Sequence, residues 1–373
     1  MGTSDFDDFG ASACLSADGL VLAIGAPYAN DVVTGLDSGS VQVYDFDGIL
    51  YRPRGPAIYG TNTGDTFGWS VSLSNNGDIL AISSGVGYVK IYSYDGEKYT
   101  KVIDLSEGGM FGYSISLSGD GKMLAIGVPQ GILYHGDVRM YIVDVSAGTA
   151  SMLAIVSGNS NFTASELGYS VSVSDDGKVL AVGDSLLSEV QVHLFDGSSY
   201  QLVCTLPGEE VSLSGDGTRF AVRNHTSAIV SVFHIMAAEG ECLQIGQSIP
   251  ITTSPLSLPG GYDPPESLIS FSNDGHVLAV ANPFNTNGVQ VYEEKYNATG
   301  QLEYFSRGDA IAIANSTVVS LSDDGSVIVI GAPFLELGNG QFEDNGSIFV
   351  YEWLSPTSSP STVSLNCRSE FVC

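Results

Sequence analysis

Hydrophobic and polar residues alternate along short stretches of this chain, and a two-residue turn separates one stretch from the next. Residues 70–74 are Ser-Val-Ser-Leu-Ser, Asn76-Gly77 follows, and residues 79–82 form an apolar run. Period-two alternation is typical of a strand with one buried face, and Asn-Gly between two such runs favours a hairpin because both residues tolerate positive φ. The segment therefore predicts two antiparallel strands, which we name A and B.

This hairpin recurs seven times along the chain. Its turns lie at Asp18-Gly19, Asn76-Gly77, Asp120-Gly121, Asp176-Gly177, Asp216-Gly217, Asp274-Gly275 and Asp324-Gly325. A third run such as Val41-Gln42-Val43-Tyr44 follows each hairpin, and a second Asp-Gly turn often leads into a fourth run. Four antiparallel strands (A to D) in each of seven units predict an all-β fold, a seven-bladed β-propeller.

The last unit lacks a clear fourth strand. After Tyr351, the only candidate lies in residues 361–365. Because open sheet edges are a liability, we expect the last blade to be either incomplete or closed by this terminal strand. We divide the chain into a propeller over residues 1–354 and a Ser/Thr/Pro linker over residues 355–373. The linker ends in a short cysteine-containing segment, which indicates a fragment of a longer protein.

Charge and cysteine content exclude several classes of function. The chain has 42 Asp and Glu residues against 13 Lys and Arg, a net charge of −29, and it contains no basic run. Such a chain repels phosphate backbones, so we expect no nucleic-acid partner, and no apolar stretch is long enough for a membrane span. Five cysteines at irregular spacing argue against a disulfide framework and against a zinc site.

Two short motifs carry a family resemblance. Phe-Gly opens three units at Phe9, Phe67 and Phe111, and Gly-Ala-Pro follows the B strand at Gly25 and Gly331. Together they resemble the FG-GAP repeats of the integrin α-subunit propeller over most of the chain, while the Ser-x-Asp-Gly turns are similar to WD40 blades. The resemblance implies a non-enzymatic binding and adhesion module that presents variable B–C and D–A loops to a protein or glycan partner.

FG-GAP repeats commonly hold calcium in the A–B hairpin, but this sequence departs from that pattern. Aligning the seven turns puts Cys14 or a serine at the first ligand position and an apolar residue, such as Leu22 or Leu80, at the last. Ca²⁺ needs about six to eight oxygen ligands, and an apolar side chain provides none. The family's calcium sites are therefore not carried over, and we predict no cofactor in these turns.

The fold alone leaves enzymatic alternatives open. No Gly-x-Ser-x-Gly nucleophile elbow occurs, and the five histidines stand at positions typical of structural or surface residues. We therefore nominate no catalytic residue and favour a protein that is not an enzyme. The alternatives are a carbohydrate-active propeller enzyme with paired carboxylates in the central channel, and an intracellular WD40-like scaffold.

Two long B–C loops, in blades one and seven, bring acidic residues to one sector of the disc, because these blades become neighbours when the ring closes. The residues are Asp31, Asp37, Glu336, Glu343 and Asp344. They form a candidate ligand patch for Ca²⁺ or for a basic partner surface, with a solvated acidic surface as the alternative.

Five Asn-x-Ser/Thr sequons favour a secreted or cell-surface glycoprotein, although no signal peptide is visible. They begin at Asn161, Asn224, Asn297, Asn315 and Asn345.

Overall fold

Seven antiparallel sheets follow one another along the chain in this computed structural model. It describes residues 7–31, 33–129, 135–158, 165–252, 267–282, 288–313, 315–333, 346–353 and 361–363. In every sheet the strands pair in sequence order, and the first sheet carries one additional short strand. The predicted seven-bladed propeller of four-stranded blades is therefore confirmed. No helix in the described part of the chain is long and apolar enough to cross a bilayer.

The strands of blades one to four have the following bounds. Blade one contains β1 (Ser12–Leu15), β2 (Val21–Ala26), β3 (Ser40–Phe46), β4 (Tyr51–Pro53) and β5 (Ile58–Tyr59). Blade two contains β6 (Phe67–Leu73), β7 (Ile79–Ser84), β8 (Tyr88–Tyr94) and β9 (Tyr99–Ser106). Blade three contains β10 (Ile115–Leu117), β11 (Met123–Val128), β12 (Asp137–Asp144) and β13 (Thr149–Ser157). Blade four contains β14 (Leu167–Val173), β15 (Val179–Asp184), β16 (Glu189–Phe195) and β17 (Tyr200–Pro207).

Blades five to seven repeat the same order. Blade five contains β18 (Glu210–Leu213), β19 (Arg219–Asn224), β20 (Ile229–Met236) and β21 (Glu241–Pro250). Blade six contains β22 (Ile269–Phe271), β23 (Val277–Ala281), β24 (Val289–Tyr296) and β25 (Leu302–Ser306). Blade seven contains β26 (Val318–Leu321), β27 (Val327–Ala332), β28 (Ser347–Glu352) and β29 (Ser361–Val363). Because β29 pairs with β28, a strand from the predicted residues 361–365 supplies the fourth strand of the last blade.

The Ser-x-Asp-Gly motif closes each A–B turn with its own side chains. In blade one, Asp18 Oδ1 accepts hydrogen bonds from the Ser16 hydroxyl at 2.7 Å and the Leu20 N–H at 2.9 Å. The Ser16 hydroxyl in turn accepts one from the N–H of Val21 at 2.8 Å. Gly19 has a φ of +69°, a conformation that favours glycine. The aspartate is therefore engaged within the turn, and the motif is a local hairpin signal.

A ring of hydrogen bonds joins the A strands around the propeller axis. In blades two to seven, one serine hydroxyl of the A strand accepts the N–H of a residue in the next A strand. The pairs are Ser72–Leu117, Ser116–Val173, Ser172–Leu213, Ser212–Phe271, Ser270–Leu321 and Ser320–Leu15, at 3.0 to 3.2 Å. Cys14 takes the seventh place, with its thiol next to the N–H of Leu73. Cys14 and the six serines occupy the positions that correspond to the first Ca²⁺ ligand of an FG-GAP repeat. In this structure these side chains link neighbouring blades.

A second ring lies at the A–B turns, where backbone groups of neighbouring blades bond to each other. The donor and acceptor residues are Ala17–Asn75, Asn75–Gly119, Gly119–Asp175, Asp175–Gly215, Asp216–Asn273, Asn273–Asp323 and Asp323–Ala17, at 2.8 to 3.2 Å. Blade seven is thus joined to blade one in the same way as any other pair of blades.

The hydrophobic core is divided into seven clusters, each between the facing sheets of two neighbouring blades. Val21 and Val43 of blade one, for example, pack with Phe67 and Leu80 of blade two. Strands buried on both faces contain continuous apolar runs, which is why the B strands are almost wholly hydrophobic.

A disulfide bond corrects the prediction from cysteine counting. Cys204 in β17 and Cys242 in β21 form a disulfide that links the outer strands of blades four and five. The two residues are 38 positions apart in sequence, and only the packing of the blades brings them together. An odd cysteine count therefore did not exclude a disulfide, and Cys14 is free.

We expect Ser116→Ala to destabilise the protein by about 1–3 kcal/mol, because the buried N–H of Val173 would lose its acceptor. Chemical denaturation against Ser157→Ala, an exposed serine of β13, checks this; the control should stay within about 0.5 kcal/mol of the native chain. Equal stability of the two variants would contradict a structural role for the ring.

We also expect reduction of the Cys204–Cys242 disulfide to lower the melting temperature, with a loss of about 2–4 kcal/mol for a closed loop of this length. The measurement is a thermal melt with and without a thiol reductant. The double variant Cys204→Ala/Cys242→Ala serves as the control, since its melt should not respond to the reductant.

Candidate active site at the channel mouth

The A strands surround a central channel. We name its two ends by the connections around them: the turn face carries the A–B and C–D turns, and the loop face carries the B–C and D–A connections. The channel contains a cavity of about 130 Å³. Its polar lining is Ser12, Ser70, Ser114, Ser170, Glu210 and Ser267. A cavity of this size with hydroxyls on its wall has room for several water molecules.

Side chains bridge the channel at the turn face. Asp175 Oδ2 accepts hydrogen bonds from the amides of Asn75 at 3.0 Å and Asn273 at 2.5 Å, and Asn273 also donates to Asp323 at 2.9 Å. Burial and the negative charge of Asp175 raise the pKa of Asp323. Since these side chains span the turn end, a ligand has its access from the loop face.

Three aromatic residues lie on consecutive blades at the loop face. The ring centroids of Trp69 and Tyr113 are 6.2 Å apart, and those of Tyr113 and Tyr169 are 5.5 Å apart. Trp69 and Tyr169 stand where the pairing of β6 with β7 and of β14 with β15 shifts register, and such irregularities redirect side chains. The three rings form an apolar arc beside the channel.

The arc ends at the connection between blades four and five. After β17, Gly208 turns the chain, and a Cβ on this residue would lie 2.2 Å from Val222 Cγ1 and 3.0 Å from the Arg223 carbonyl. The N–H of Glu209 then donates to that carbonyl at 3.1 Å, so the connection lies directly against β19. The short turn places Glu209 and Glu210 at the start of the fifth A strand.

Glu210 links blade five to blade six and faces a cation. Its Oε1 accepts the backbone N–H groups of Leu268 and Ile269 at 2.5 and 3.1 Å. Arg223 is its register partner across the β18–β19 pair, with 3.8 Å between Arg223 Nη1 and Glu210 Oε2. Glu210 is therefore a structural carboxylate that holds an arginine at the edge of the channel.

Three buried polar atoms near Glu210 have no hydrogen-bond partner: Glu209 Oε2, Arg223 Nε and His225 Nδ1. Arg223 is only 4% exposed. Buried polar groups are nearly always hydrogen-bonded in folded proteins, so three such atoms at the same end of the β18–β19 pair mark a place where water or a ligand binds. We name Glu209, Arg223 and His225 the blade-five triad.

Burial and the Arg223 charge shift the pKa values of two residues of the triad. Burial raises the pKa of Glu209. Two effects act in the opposite direction: the backbone N–H of His225 donates to Glu209 Oε1 at 2.9 Å, and the positive charge of Arg223 lies nearby. Burial and the same Arg223 charge lower the pKa of His225, so its imidazole is neutral at pH 7. A carboxyl with a raised pKa, a neutral imidazole and a fixed cation can supply a general base and a site for developing negative charge.

The predicted acidic patch is described only in part. Asp31 Oδ2 accepts the N–H groups of Val33 and Thr34 within its own loop, and Asp37 is exposed with a φ of +52°. Glu336, Glu343 and Asp344 lie outside the described residues. The patch and its Ca²⁺ or basic partner stay a prediction, for which a Ca²⁺ titration against Asp31→Asn/Asp37→Asn is the check.

Sequence reasoning missed the triad. The available signal was the Glu-Glu pair at positions 209 and 210 of the fifth unit, where the first four units have Ala-Ser, Trp-Ser, Tyr-Ser and Tyr-Ser. The sequence predicts a structural or surface role for His225, and its neighbour Asn224 is a predicted sequon whose side chain is buried. What distinguishes these residues is burial without partners, which only the packed blades reveal.

Neither a protein-family model nor a curated protein matches this sequence. The fold is similar to the periplasmic gluconolactonase of Pseudomonas aeruginosa, with 19% identity, a TM-score of 0.62, and coverage of 92% of this chain and 95% of that chain. A candidate 6-phosphogluconolactonase of Bacteroides uniformis has 13% identity, a TM-score of 0.63 and coverage of 92% and 95%. The β-propeller domain of Cps50 (Swd1) from Myceliophteria thermophila has 13% identity, a TM-score of 0.59 and coverage of 86% and 92%. At these identities the likeness shows the fold alone.

The comparisons correct the FG-GAP prediction, and with it the integrin-like adhesion module, the extracellular adhesion role and the assignment as a non-enzyme. No FG-GAP model matches, and lactonases are among the most similar structures. The glycines of the Phe-Gly and Gly-Ala-Pro motifs are explained by close contacts between blades. A Cβ on Gly25 would lie 2.3 Å from the Gly68 carbonyl oxygen, and a Cβ on Gly127 would lie 2.1 Å from the Gly168 carbonyl oxygen. Glycines are thus required where blades touch, whatever the ancestry.

We expect Glu209→Gln to stabilise the fold at neutral pH, because it removes a carboxylate that burial disfavours; the gain should stay below about 1 kcal/mol, since the side chain is partly exposed and solvent screens its charge. Because the pKa of Glu209 is higher in the folded state than in the unfolded state, native stability falls as the pH rises from the unfolded-state pKa through the folded-state pKa. The advantage of the variant should therefore shrink at acidic pH, where Glu209 is protonated. Thermal melts of both chains from acidic to neutral pH check this, and an advantage that does not change with pH would contradict a raised pKa.

Proposed function

We propose that this protein is a carbohydrate-active hydrolase that opens a sugar lactone at the loop-face mouth of the channel. The observation that carries the proposal is the blade-five triad, with its three buried and unpartnered polar atoms. Lactone hydrolysis needs a base for the attacking water and a donor for the carbonyl oxygen, and the triad contains both.

In the proposed reaction, Glu209 in its carboxylate form takes a proton from a water molecule while the water oxygen bonds to the lactone carbonyl carbon. The carbonyl oxygen becomes an oxyanion, to which the Arg223 Nε–H donates. The tetrahedral intermediate then collapses, the ring C–O bond breaks, and Glu209 returns its proton to the departing ring oxygen. His225 Nδ1 is available for a hydrogen bond to a sugar hydroxyl. No atom other than those of lactone and water enters the product.

The shape of the mouth supports a sugar-sized ligand. The channel cavity of about 130 Å³ is smaller than the roughly 300 Å³ of typical ligand pockets, so the channel holds water and the substrate lies above it. Tyr113 and Tyr169 are partly exposed and offer an apolar platform at that level, with the buried Trp69 packed beside Tyr113. The two lactonases with a similar fold support the choice of reaction, although their likeness extends only to the fold.

We keep a secreted or cell-surface location as a proposal. The Cys204–Cys242 disulfide supports it, because such bonds persist in oxidising compartments. A small-molecule substrate replaces the predicted protein or glycan partner as the main proposal, and the absence of a nucleic-acid partner stays a prediction from the net charge of −29.

We expect the native chain to hydrolyse glucono-1,5-lactone faster than the spontaneous reaction, and Glu209→Gln to lower kcat by about 10²–10⁴-fold, as loss of a general base does. Proton release in a pH-stat, with the spontaneous rate subtracted, measures both. Glu97→Gln is the matched control, since Glu97 is exposed in the second C–D turn on the opposite face.

Melting curves of each variant separate loss of chemistry from loss of the fold. A folded Glu209→Gln that is as active as Glu97→Gln would exclude Glu209 as the base. A native chain that never exceeds the spontaneous rate would overturn the proposed function.

A further inference from the structure

We propose that the substrate is an uncharged, unphosphorylated lactone, and that the loop face repels the acid that hydrolysis produces. The inference rests on the proposed lactone hydrolysis and adds the charge of the ligand. It follows from an unequal distribution of cations between the two faces of the disc.

All but four of the 13 Lys and Arg residues lie toward the turn face. Lys122 and Lys178, for example, form ion pairs with the turn residues Asp120 and Asp176, both at distances below 3 Å. Arg307 donates to the carbonyl of Gly325, the glycine of the seventh A–B turn, at 3.0 Å. These cations neutralise the aspartates of the turns, and their position keeps them away from a ligand at the opposite mouth.

The loop-face half of the described residues has three cations: Lys90, Arg139 and Arg223. Lys90 is 5% exposed and lies over the ring of Tyr88, with 4.4 Å from Nζ to the centroid. Arg139 forms ion pairs with Asp137 and Glu107. Only Arg223 has an unpartnered nitrogen at the channel, and the proposed reaction uses it for the carbonyl oxygen. The remaining cation, Arg368, lies outside the described residues, and the loops that are not described contain no Lys or Arg.

Carboxylates surround the same mouth in excess. On the described B–C and D–A connections and the strand ends beside them, they include Asp37, Glu107, Glu166, Glu189, Glu209 and Glu210. A phosphate group is recognised by several cationic or N–H donors at once, and the mouth offers an acidic rim instead. A phosphorylated lactone would meet repulsion with no compensating ion pair.

The charge of the product differs from that of the substrate. Opening an uncharged lactone gives an acid that ionises at neutral pH, so one negative charge arises within the acidic rim as the ring opens. The repulsion therefore acts on the ionised product and not on the neutral substrate, so it favours product release without an electrostatic barrier to substrate entry.

The test compares kcat/KM for glucono-1,5-lactone and its 6-phosphorylated derivative on the native chain. We expect the neutral lactone to be preferred at least about tenfold at low salt, which corresponds to roughly 1.4 kcal/mol. Salt screens exposed charges over about 10 Å at 0.1 M, so the preference should narrow as salt is added.

Two charge-reversal variants make the comparison specific to the loop face. Glu189→Lys changes a carboxylate at the start of β16, next to Ser188, whose carbonyl accepts the N–H of Gly208. It should raise kcat/KM for the phosphorylated lactone and leave that for the neutral lactone nearly unchanged. Glu97→Lys makes the same change of charge on the turn face and should alter neither value.

The outcomes separate this inference from the proposed function. Equal or better hydrolysis of the phosphorylated lactone by the native chain would overturn the inference and leave lactone hydrolysis standing. The same response to Glu189→Lys and Glu97→Lys would show that the loop-face charges do not select the substrate. Absence of catalysis on both lactones would overturn the proposed function and the inference together.

Discussion

The hydrogen bond from a backbone N–H of one A strand to a small side chain of the previous A strand is the constraint on which the propeller depends. Near the axis the A strands approach closely, and their N–H groups cannot all be paired within one blade. Six serines and Cys14 meet this need in turn and close a ring of seven. Hydrophobic burial holds the blades together but has no direction, whereas these hydrogen bonds align each A strand with the next.

The polar cluster in blade five is built on this same requirement. Toward the loop face, Ser170 accepts the N–H of Val211 across the border of blades four and five, and Glu210 performs the same task toward blade six with a carboxylate. A buried carboxylate requires a cation, and the β18–β19 register supplies Arg223. With Glu210 occupied by the backbone, the adjacent Glu209 keeps one oxygen unpaired. The residues that join blades five and six thus also form the surroundings of the carboxylate to which we assign the proposed reaction.

The hairpins, the number of blades and the closing strand could be predicted from sequence, because each Asp-Gly turn is defined by residues within a few positions of it. The site could not be predicted in this way. How far Glu209 is buried, and whether His225 has a partner, depends on how Gly208 lies against Val222 and Arg223 of β19, which is a tertiary contact that no local motif encodes. The same limit explains the missed Cys204–Cys242 disulfide and the FG-GAP resemblance, whose glycines reflect close contacts between blades.

Every blade in the described residues is built from one continuous segment, and no strand is exchanged between the first and last blades. The border between blades seven and one is therefore held by the same non-covalent contacts as the other borders. The ring of blades is thus not closed by a shared strand: the Ser320–Leu15 and Asp323–Ala17 hydrogen bonds and the packing around them join its first and last blades. A circularly permuted chain that is opened at another blade border would therefore contain the same hydrogen bonds and packing between neighbouring blades.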